Sequence, residues 1–297
     1  MMIGSVLIFG SLGLVVRGMT IPSGAAAVAR GLIGAVFLAV LFALSGRRVA
    51  WGAARRNLPL LALSGALLGA NWIFLFEAYR YTTIALATLS YYLAPVILTA
   101  ASPLLLKEKL SARKALCVGA ALLGMALISG ILGAPQAGIN PRGILMGLSA
   151  AVCYASLTLS NKFLRDIRPM EATIFQLLFS SAVLAPYALL TGQMPFHFQG
   201  AQDVLLLIVM GVVHTGVAFW WYFASVRALK AQTVAMLSYI DPATAILLST
   251  AVLGERMNLL QILGACLILG AALTAEMPAF PARRAGAAVS GQNPPSM

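Results

Sequence analysis

Charged residues are scarce in this chain of 297 residues: Asp, Glu, Lys and Arg together make up 9% of it, and only 8 residues are acidic. Ordinary soluble proteins carry about 25% charged residues and about 45–50% apolar ones. Here the hydrophobic share is 61% and the mean hydropathy is +0.93. So few charges could not cover the surface of a soluble protein, and the composition therefore indicates a chain embedded in lipid.

Residues suited to metal, redox and acid–base chemistry are also few. The three cysteines each lie in an apolar run and form no CxxC pair, so they are expected to be small buried hydrophobes with free thiols. The chain has two isolated histidines and no GxxxxGK[ST] nucleotide-binding loop. The sequence thus predicts no cofactor, no metal and no use of ATP, and it argues against an enzyme, which would need paired acids or a metal cluster.

Long apolar segments dominate what is present. A bilayer core about 30 Å thick needs about 20 apolar residues per helix. Ten such segments are predicted to be membrane spans, namely 2–16, 23–44, 58–79, 83–106, 113–132, 142–163, 170–190, 202–226, 230–253 and 258–276. The predicted fold is therefore an all-α integral membrane protein with ten transmembrane helices. Residues 277–297, rich in Pro, Ala and Gly, are expected to form a disordered cytoplasmic tail.

The net charge of +12 would suggest nucleic acid as a partner of a soluble protein, but the basic residues occupy short loops between the predicted spans. Fifteen Lys and Arg residues lie on one side, and only Arg17, Arg80, Arg142 and Arg256 lie on the other. Because cytoplasmic loops are enriched in Lys and Arg, this asymmetry predicts cytoplasmic termini in the plasma (inner) membrane. The charges thus orient the chain, and no nucleic acid is expected to bind.

The two halves of the chain align without a gap at an offset of 147 residues. The matched residues are Tyr92 with Tyr239, Pro95 with Pro242 and Glu108 with Glu255. Each predicted repeat, 1–135 and 136–276, holds five spans, and this odd number makes the two copies cross the membrane in opposite directions. Inverted repeats with a site at their interface are a recurrent architecture of secondary transporters.

These features together resemble a known family. The ten spans, the Ala29-Arg30-Gly31 element and the twin segments YYLAPVILTAASPLLLKEKL and SYIDPATAILLSTAVLGERM look like the drug/metabolite transporter superfamily, EamA type. The resemblance covers residues 3–276, and in character the chain is most similar to the amino-acid exporters, including aromatic amino-acid exporters of the YddG kind. The usual Gly-Glu pair of the family is Lys107-Glu108 in the first half and Gly254-Glu255 in the second.

The resemblance and the repeat predict a secondary transporter that exports small organic metabolites, above all amino acids, by alternating access through a central cavity. It is expected to act as a monomer, with a small-molecule substrate and the lipid bilayer as its partners. A carrier of sugars, nucleobases or drugs stays open, as does a membrane-embedded enzyme for a lipid or lipid-linked substrate. A channel is disfavoured because the sequence has no filter-like Gly-rich loop and no ring of charge. Proton coupling and uniport are both left open.

Two prolines at matching repeat positions, Pro95 and Pro242, are predicted to break helices within the membrane. Proline removes the hydrogen bond to the carbonyl four residues earlier, here that of Tyr91 or Ser238. Freed carbonyls are tolerated in a bilayer only where protein or a water-filled cavity satisfies them. Both helices are therefore expected to line the central cavity, the alternative being a simple packing kink.

Three ionisable residues, Arg30, Glu77 and Asp241, lie within predicted spans and are candidates for coupling or gating. Asp241 is about 16 Å from the inner start of its span, where a charged Asp costs about 2.5–3.5 kcal/mol on insertion scales. It could couple proton movement, bind a substrate amine or hydrogen-bond at the helix break. An intramembrane ion pair between Arg30 and Glu77 is geometrically allowed, and a structural pair or an outer gate is favoured over substrate binding.

Aromatic residues with polar tips concentrate in the spans that are expected to surround the cavity, as suits a mostly apolar pocket. Trp72, Phe76 and Tyr79 share one predicted helix face, and His214 and Trp221 lie on one predicted stripe. Helix packing is the alternative for all of them, and for His214 it is a hydrogen bond between helices. The candidate substrate-binding residues are Asn71, Trp72, Tyr79, Tyr91, Tyr92, Tyr154, His214, Trp221, Ser238 and Tyr239.

Overall fold

The computed structural model describes residues 1–46, 48–82, 84–128, 140–194, 198–253 and 259–276. All regular secondary structure within these ranges is helical, which confirms the predicted all-α class. The helices are α1 Met2–Gly10, α2 Leu12–Arg17, α3 Ser23–Leu44, α4 Trp51–Tyr81, α5 Ile84–Tyr91, α6 Ala94–Leu106, α7 Ala112–Ile128, α8 Pro141–Lys162, α9 Pro169–Leu190, α10 Ala201–Val209, a π-helical segment Met210–Val217, α11 Ala218–Ala228, α12 Ala231–Ser238, α13 Ile240–Leu253 and α14 Leu259–Glu276.

Seven stretches of the described chain are long and apolar enough to cross a membrane. They are Ser23–Leu44, Trp51–Tyr81, Leu86–Leu106, Pro141–Lys162, Pro169–Leu190, Ala201–Ala228 and Ala231–Val252. Met2–Arg17 and Leu259–Ala275 are shorter apolar helical stretches, and α7 has 17 residues. A chain with several spanning helices agrees with the composition, while the count of ten and the orientation stay predictions.

Helix α4 begins at Trp51, well before the predicted start of its span at residue 58. The extra turns are stabilised by contacts with the α8–α9 region. The carboxylate of Glu171 accepts a hydrogen bond from the Ala50 amide (2.9 Å), and the Asn57 amide donates to the carbonyls of Ala53 (2.8 Å) and Arg165 (2.7 Å). Hydropathy could not locate this start, because polar side chains and not apolar burial support the first turns.

Two helical rods are broken at corresponding positions of the halves. Helix α5 ends at Tyr91 and α6 begins at Ala94, while α12 ends at Ser238 and α13 begins at Ile240. Pro95 and Pro242 are buried in the first turn of α6 and of α13, where a missing N–H costs little. The breaks also touch, since the Tyr239 hydroxyl donates to the Tyr92 carbonyl at 3.2 Å. An exposed carbonyl at one break is thereby satisfied by a side chain from the other.

Small residues bring helices into close contact at two places. A Cβ atom added at Gly65 of α4 would lie 2.5 Å from Cβ of Phe179 on α9. One added at Gly147 of α8 would lie 2.8 Å from Cβ of Ser90 on α5. Both distances are too short for real atoms, so these glycines set the closeness of α4 to α9 and of α8 to α5, as small-xxx-small patterns do in membrane helices.

The three cysteines are free, but they differ in exposure. Cys117 is buried and Cys153 is half-buried, whereas Cys266 is exposed on α14, so the prediction of burial is wrong for Cys266. Its apolar neighbourhood does not imply burial, because lipid-facing and core-facing positions of a membrane helix are equally apolar. The Gly254-Glu255 pair, Arg256, His197 and the tail 277–297 lie outside the described residues.

Candidate functional site

A cavity of about 490 Å³ lies between the two halves of the chain, within the range of about 300–1,000 Å³ typical of small-molecule sites. Its walls come from α1–α5 of the first half and from α8, the π-helical segment, α11 and α13 of the second. Most of the lining is apolar or aromatic, with few polar groups. This is the composition expected of a pocket for a small, partly apolar solute.

Seven of the ten candidate substrate-binding residues line the cavity: Asn71, Trp72, Tyr79, Tyr91, Tyr92, Tyr154 and His214. The predicted face of α4 is present, because Trp72, Phe76 and Tyr79 all reach the lining. Asn71 is held by its amide, which donates to the Ala150 carbonyl of α8 at 2.8 Å. The face of α4 that helical periodicity predicts thus lines the cavity, and substrate binding by these residues stays a prediction.

The other three candidates lie outside the lining. Trp221 packs toward α1, where a Cβ atom added at Gly4 would be 2.9 Å from its ring. The Ser238 hydroxyl donates back to the Val234 carbonyl at 2.8 Å, and the fully buried Tyr239 reaches the break between α5 and α6. Each has a packing or hydrogen-bonding role within the helices that surround the cavity.

The π-helical segment explains why His214 and Trp221 do not share a face. In this segment the Thr215 hydroxyl donates to the Met210 carbonyl five residues earlier at 2.9 Å. Because a π-helix has more residues per turn than an α-helix, residues after it are rotated away from the face that an α-helical period predicts. Phe219 consequently takes the place at the cavity that the predicted stripe assigned to Trp221.

Aromatic rings in contact form much of the cavity wall. The ring centroids are 4.9 Å apart in Phe9–Phe219, 5.9 Å in Trp72–Phe219, 5.5 Å in Tyr91–Tyr92, 5.8 Å in Tyr91–Tyr154 and 5.9 Å in Tyr154–Tyr222. Phe9 and Phe219 are not among the residues predicted from sequence. Phe9 has no signal that separates packing from binding, whereas Phe219 lies at the position that matches Trp72 in the 147-residue repeat. The tilted and edge-on geometries favour a rigid wall.

Arg30 lies on α3, and its side chain is stacked on an aromatic ring of the cavity. Its Cζ atom is 3.7 Å from the centroid of Trp72, and the residue is only 9% exposed. Its Nε atom is buried and has no hydrogen-bond partner among the described residues. Arg30 therefore brings a positive charge to the cavity lining, and no acidic side chain among the described residues forms an ion pair with it.

The predicted ion pair of Arg30 with Glu77 is not formed. The Glu77 carboxylate accepts from Arg80 one helical turn away at 2.9 Å and from the Tyr187 hydroxyl of α9 at 2.6 Å. The i,i+3 spacing puts Glu77 and Arg80 side by side near the end of α4, and the rotation of α4 turns Trp72 toward Arg30 instead. Glu77 accordingly lies outside the cavity lining.

Asp241 lines the cavity in the first turn of α13. Its carboxylate accepts a hydrogen bond from the Tyr92 hydroxyl at 3.1 Å, across the two helix breaks. The N-terminus of a helix carries partial positive charge and unpaired amides, so a carboxylate is favoured there. The break before Pro242 thus creates the helix start that makes an acid tolerable inside the protein.

His214 joins two helices at the edge of the cavity. Its Nε2 atom lies 3.0 Å from the Ser11 hydroxyl, and its Nδ1 atom lies 3.5 Å from the Val209 carbonyl. Ser11 separates α1 from α2, so His214 supports this bend while it lines the cavity. In the described part of the chain, no group of three or more His, Cys, Asp or Glu side chains could hold a metal ion.

Glu108 connects α6 to the start of α12 at the end of the bundle that is rich in Lys and Arg. Its carboxylate accepts from the amides of Ala231 at 2.9 Å and Gln232 at 3.4 Å. The Gln232 amide donates in turn to the Ser102 hydroxyl at 3.1 Å. Lys107 before it has φ of 54°, in the left-handed region that favours glycine.

Two loops of the second half are joined at the same end. The Arg227 guanidinium donates to the Ile167 carbonyl at 2.5 Å, and the Lys162 ammonium donates to the Leu229 carbonyl. These bonds hold the α8–α9 connection against the end of α11. Together with the contacts of Glu108, they hold the helices together away from the cavity.

Comparison with known proteins places the chain among membrane transporters. The EamA-like transporter family matches residues 1–130 and 141–275. The chain is 30% identical to "Uncharacterized transporter YxxF" of Bacillus subtilis, over 92% of this chain and 88% of that protein. It is 30% identical to an "Uncharacterized transporter" of Archaeoglobus fulgidus (74% and 76%) and 24% identical to "Protein PecM" of Dickeya dadantii (74% and 76%).

A solved crystal structure of a protein with 20% identity superposes with a TM-score of 0.80 and covers 92% of this chain and 96% of that one. At this identity the likeness shows the fold alone. The family match and the transporter names of the relatives indicate a multi-pass membrane transporter rather than an enzyme. The chain belongs to the EamA-like transporter family.

Proposed function

We propose that the protein is a secondary transporter that exports small organic metabolites, above all amino acids, by alternating access through the cavity between its halves. The observation that carries this proposal is the cavity itself. It is walled by aromatic rings, and both a guanidinium (Arg30) and a carboxyl group (Asp241) line it. A substrate with one apolar part and both charges suits these walls better than a sugar or a nucleobase.

The proposed architecture has ten spans in two inverted repeats, 1–135 and 136–276, with both termini and the tail 277–297 in the cytoplasm of a monomer in the inner membrane. In support, the broken rods α5–α6 and α12–α13 occupy corresponding places in the two halves and meet through Tyr239 and Tyr92, residues at the same repeat position. In known transporters such discontinuous helices form the site at the interface of the repeats.

With this orientation we assign the conformation to an outward-facing state. The cavity reaches Val16, Met19 and Tyr79, which lie at the helix ends that the charge distribution predicts to be outside. At the opposite end, Glu108 and Arg227 connect the ends of the helices. Alternating access then requires these contacts to open while the outer ends close.

Flux measurement tests the proposal. Purified protein in proteoliposomes is loaded with labelled aromatic and small neutral amino acids, and efflux is measured against concentration with and without a proton gradient; protein-free liposomes are the control. We expect saturable efflux of at least one amino acid. Absence of saturable flux for every amino acid contradicts the substrate class, whereas flux that rises linearly with concentration contradicts a carrier and favours a channel.

A further inference from the structure

Arg30 is a buried cation with unused hydrogen-bonding capacity at the cavity. It is 9% exposed, its Nε atom has no hydrogen-bond partner among the described residues, and its guanidinium is stacked on Trp72. A stack covers the face of a guanidinium and leaves the N–H donors, which lie in its plane, free to bind. Trp72 therefore orients Arg30 without consuming its donors.

The acidic side chains that the structure describes near the cavity do not pair with Arg30. Glu77 is engaged with Arg80 and Tyr187, and Asp203 accepts from Thr20 and the Gln199 amide. Among the described lining residues, the one acid is Asp241, and its contact is the Tyr92 hydroxyl. A buried charge without a counter-ion is unfavourable, so an incoming anionic group gains from binding Arg30.

The chemistry of the two charged groups differs. A guanidinium is planar and binds a carboxylate through two parallel N–H···O bonds. A carboxylate with a phenol beside it, as in Asp241 and Tyr92, attracts an ammonium group, which has three donors. A solute that satisfies both groups carries a carboxylate and an amine.

We propose that Arg30 binds the carboxylate of the transported solute and that Asp241, with Tyr92, binds its ammonium group, so that the cavity selects zwitterionic α-amino acids. This rests on the proposed function and specifies how its substrate is recognised. The aromatic wall that includes Phe9, Trp72 and Phe219 then contacts the solute side chain. Arg30 and Trp72 form one unit, in which the ring fixes the orientation of the cation.

The test uses L-phenylalanine and two analogues that each lack one charge. L-Phenylalaninamide has no carboxylate, and 3-phenylpropionate has no amine. Inhibition of labelled amino-acid efflux and the shift in melting temperature are measured for the wild type, Arg30→Gln and Asp241→Asn. Arg80→Gln, which removes an arginine that does not line the cavity, is the matched control, and Arg30→Lys tests whether charge alone suffices.

For the wild type we expect L-phenylalanine to bind about tenfold or more tightly than either analogue, as loss of a buried charge pair implies. Arg30→Gln should no longer bind L-phenylalanine more tightly than L-phenylalaninamide, but it should still bind L-phenylalanine more tightly than 3-phenylpropionate. Asp241→Asn should lose the preference for L-phenylalanine over 3-phenylpropionate and keep the preference over L-phenylalaninamide. Arg30→Lys should keep only part of the preference for L-phenylalanine over L-phenylalaninamide. Arg80→Gln should behave like the wild type.

The outcomes separate this inference from the proposed function. If amino acids are carried but Arg30→Gln weakens all three compounds equally, Arg30 is structural and the inference is wrong while the function stands. If Arg30→Gln leaves the preference unchanged, the inference is also wrong. If no amino acid is carried or bound but 3-phenylpropionate is, and only with Arg30 present, the amino-acid function fails and the part of the inference that concerns the amine fails with it.

Discussion

Arg30 shows how burial and stacking compete at a single residue. A charged Arg at the centre of a membrane helix costs about 2.5–3.5 kcal/mol on insertion scales. A cation–π contact such as that with Trp72 returns about 0.5–2 kcal/mol. Stacking therefore offsets part of the cost, and the remainder favours either a counter-ion or a ligand. Because Glu77 is bound by Arg80 and Tyr187, we infer that a ligand, and not a counter-ion from the protein, stabilises the charge of Arg30.

Asp241 yields a prediction about pH dependence. If a proton and the substrate amine compete for the same carboxylate, efflux should decrease as the pH falls and Asp241 takes up a proton, and Asp241→Asn should abolish that decrease because an amide does not titrate in this range. The measurement is amino-acid efflux from proteoliposomes at pH values from about 5.5 to about 8.5. Glu77→Gln is the control, since Glu77 lies outside the cavity.

Unchanged pH dependence of an abundant, folded Asp241→Asn protein would assign Asp241 a structural role at the helix break. The sequence left both a role of Asp241 in coupling or substrate binding and a structural role at the helix break open. The structure adds the contact with Tyr92 and the position at the start of α13, and these explain why an acid is tolerated there.

At the scale of elements, the broken helices were predictable and the rotation of the α10–α11 rod was not. The matched prolines locate the breaks because the loss of an N–H is a local, covalent property. The π-helical segment has no comparable mark in the sequence, since it depends on how α3 packs against Met210–Val217. The wider turn of the π-helical segment is enough to turn Trp221 toward α1, away from the cavity-facing position that an α-helical period predicts.

Lys107 offers a stability prediction at the end of α6. Its φ of 54° lies in the left-handed region, which costs a residue with a side chain about 1–2 kcal/mol. Lys107→Gly should therefore raise the unfolding free energy by about 1 kcal/mol, the gain being reduced by the greater flexibility of Gly in the unfolded chain. Thermal unfolding of the purified protein in detergent measures the change.

Lys109→Gly is the matched control for that experiment. Lys109 is an exposed neighbour that is not among the described residues with positive φ, so a glycine there should bring no gain. Equal melting temperatures for Lys107→Gly and the wild type would mean that contacts of the Lys107 side chain already compensate for the backbone conformation.

At the scale of the whole molecule, the two ends of the bundle differ in how they are joined. Glu108 accepts from the first amides of α12 and so holds the first half against the second at the end predicted to be cytoplasmic. Removal of such a cap costs about 1 kcal/mol, roughly a fivefold change in a two-state equilibrium. Glu108→Ala should thus shift the transporter toward the state that is open on that side.

Cysteine labelling measures this shift. In a background without the three native cysteines, Thr233→Cys introduces a thiol at a buried position near the start of α12. A membrane-impermeant maleimide applied to inside-out vesicles should label it several-fold faster when Glu108→Ala is added, whereas Lys109→Ala should have no effect. An unchanged rate in an active variant would restrict Glu108 to a local cap on α12.

The sequence by itself determined the solvent, the class and the chemistry that is available. Nine per cent charge requires lipid, the matched prolines break two helices, and the scarcity of His and acids leaves Arg30, Glu77 and Asp241 as the candidate ionisable groups within the predicted spans. Only the tertiary structure decided which side chains of different helices meet, because such contacts depend on how each helix is rotated about its axis and on the angle at which the helices cross. It brought Tyr187 of α9 to Glu77, stacked Arg30 on Trp72, and placed Arg30 and Asp241 on the walls of one cavity.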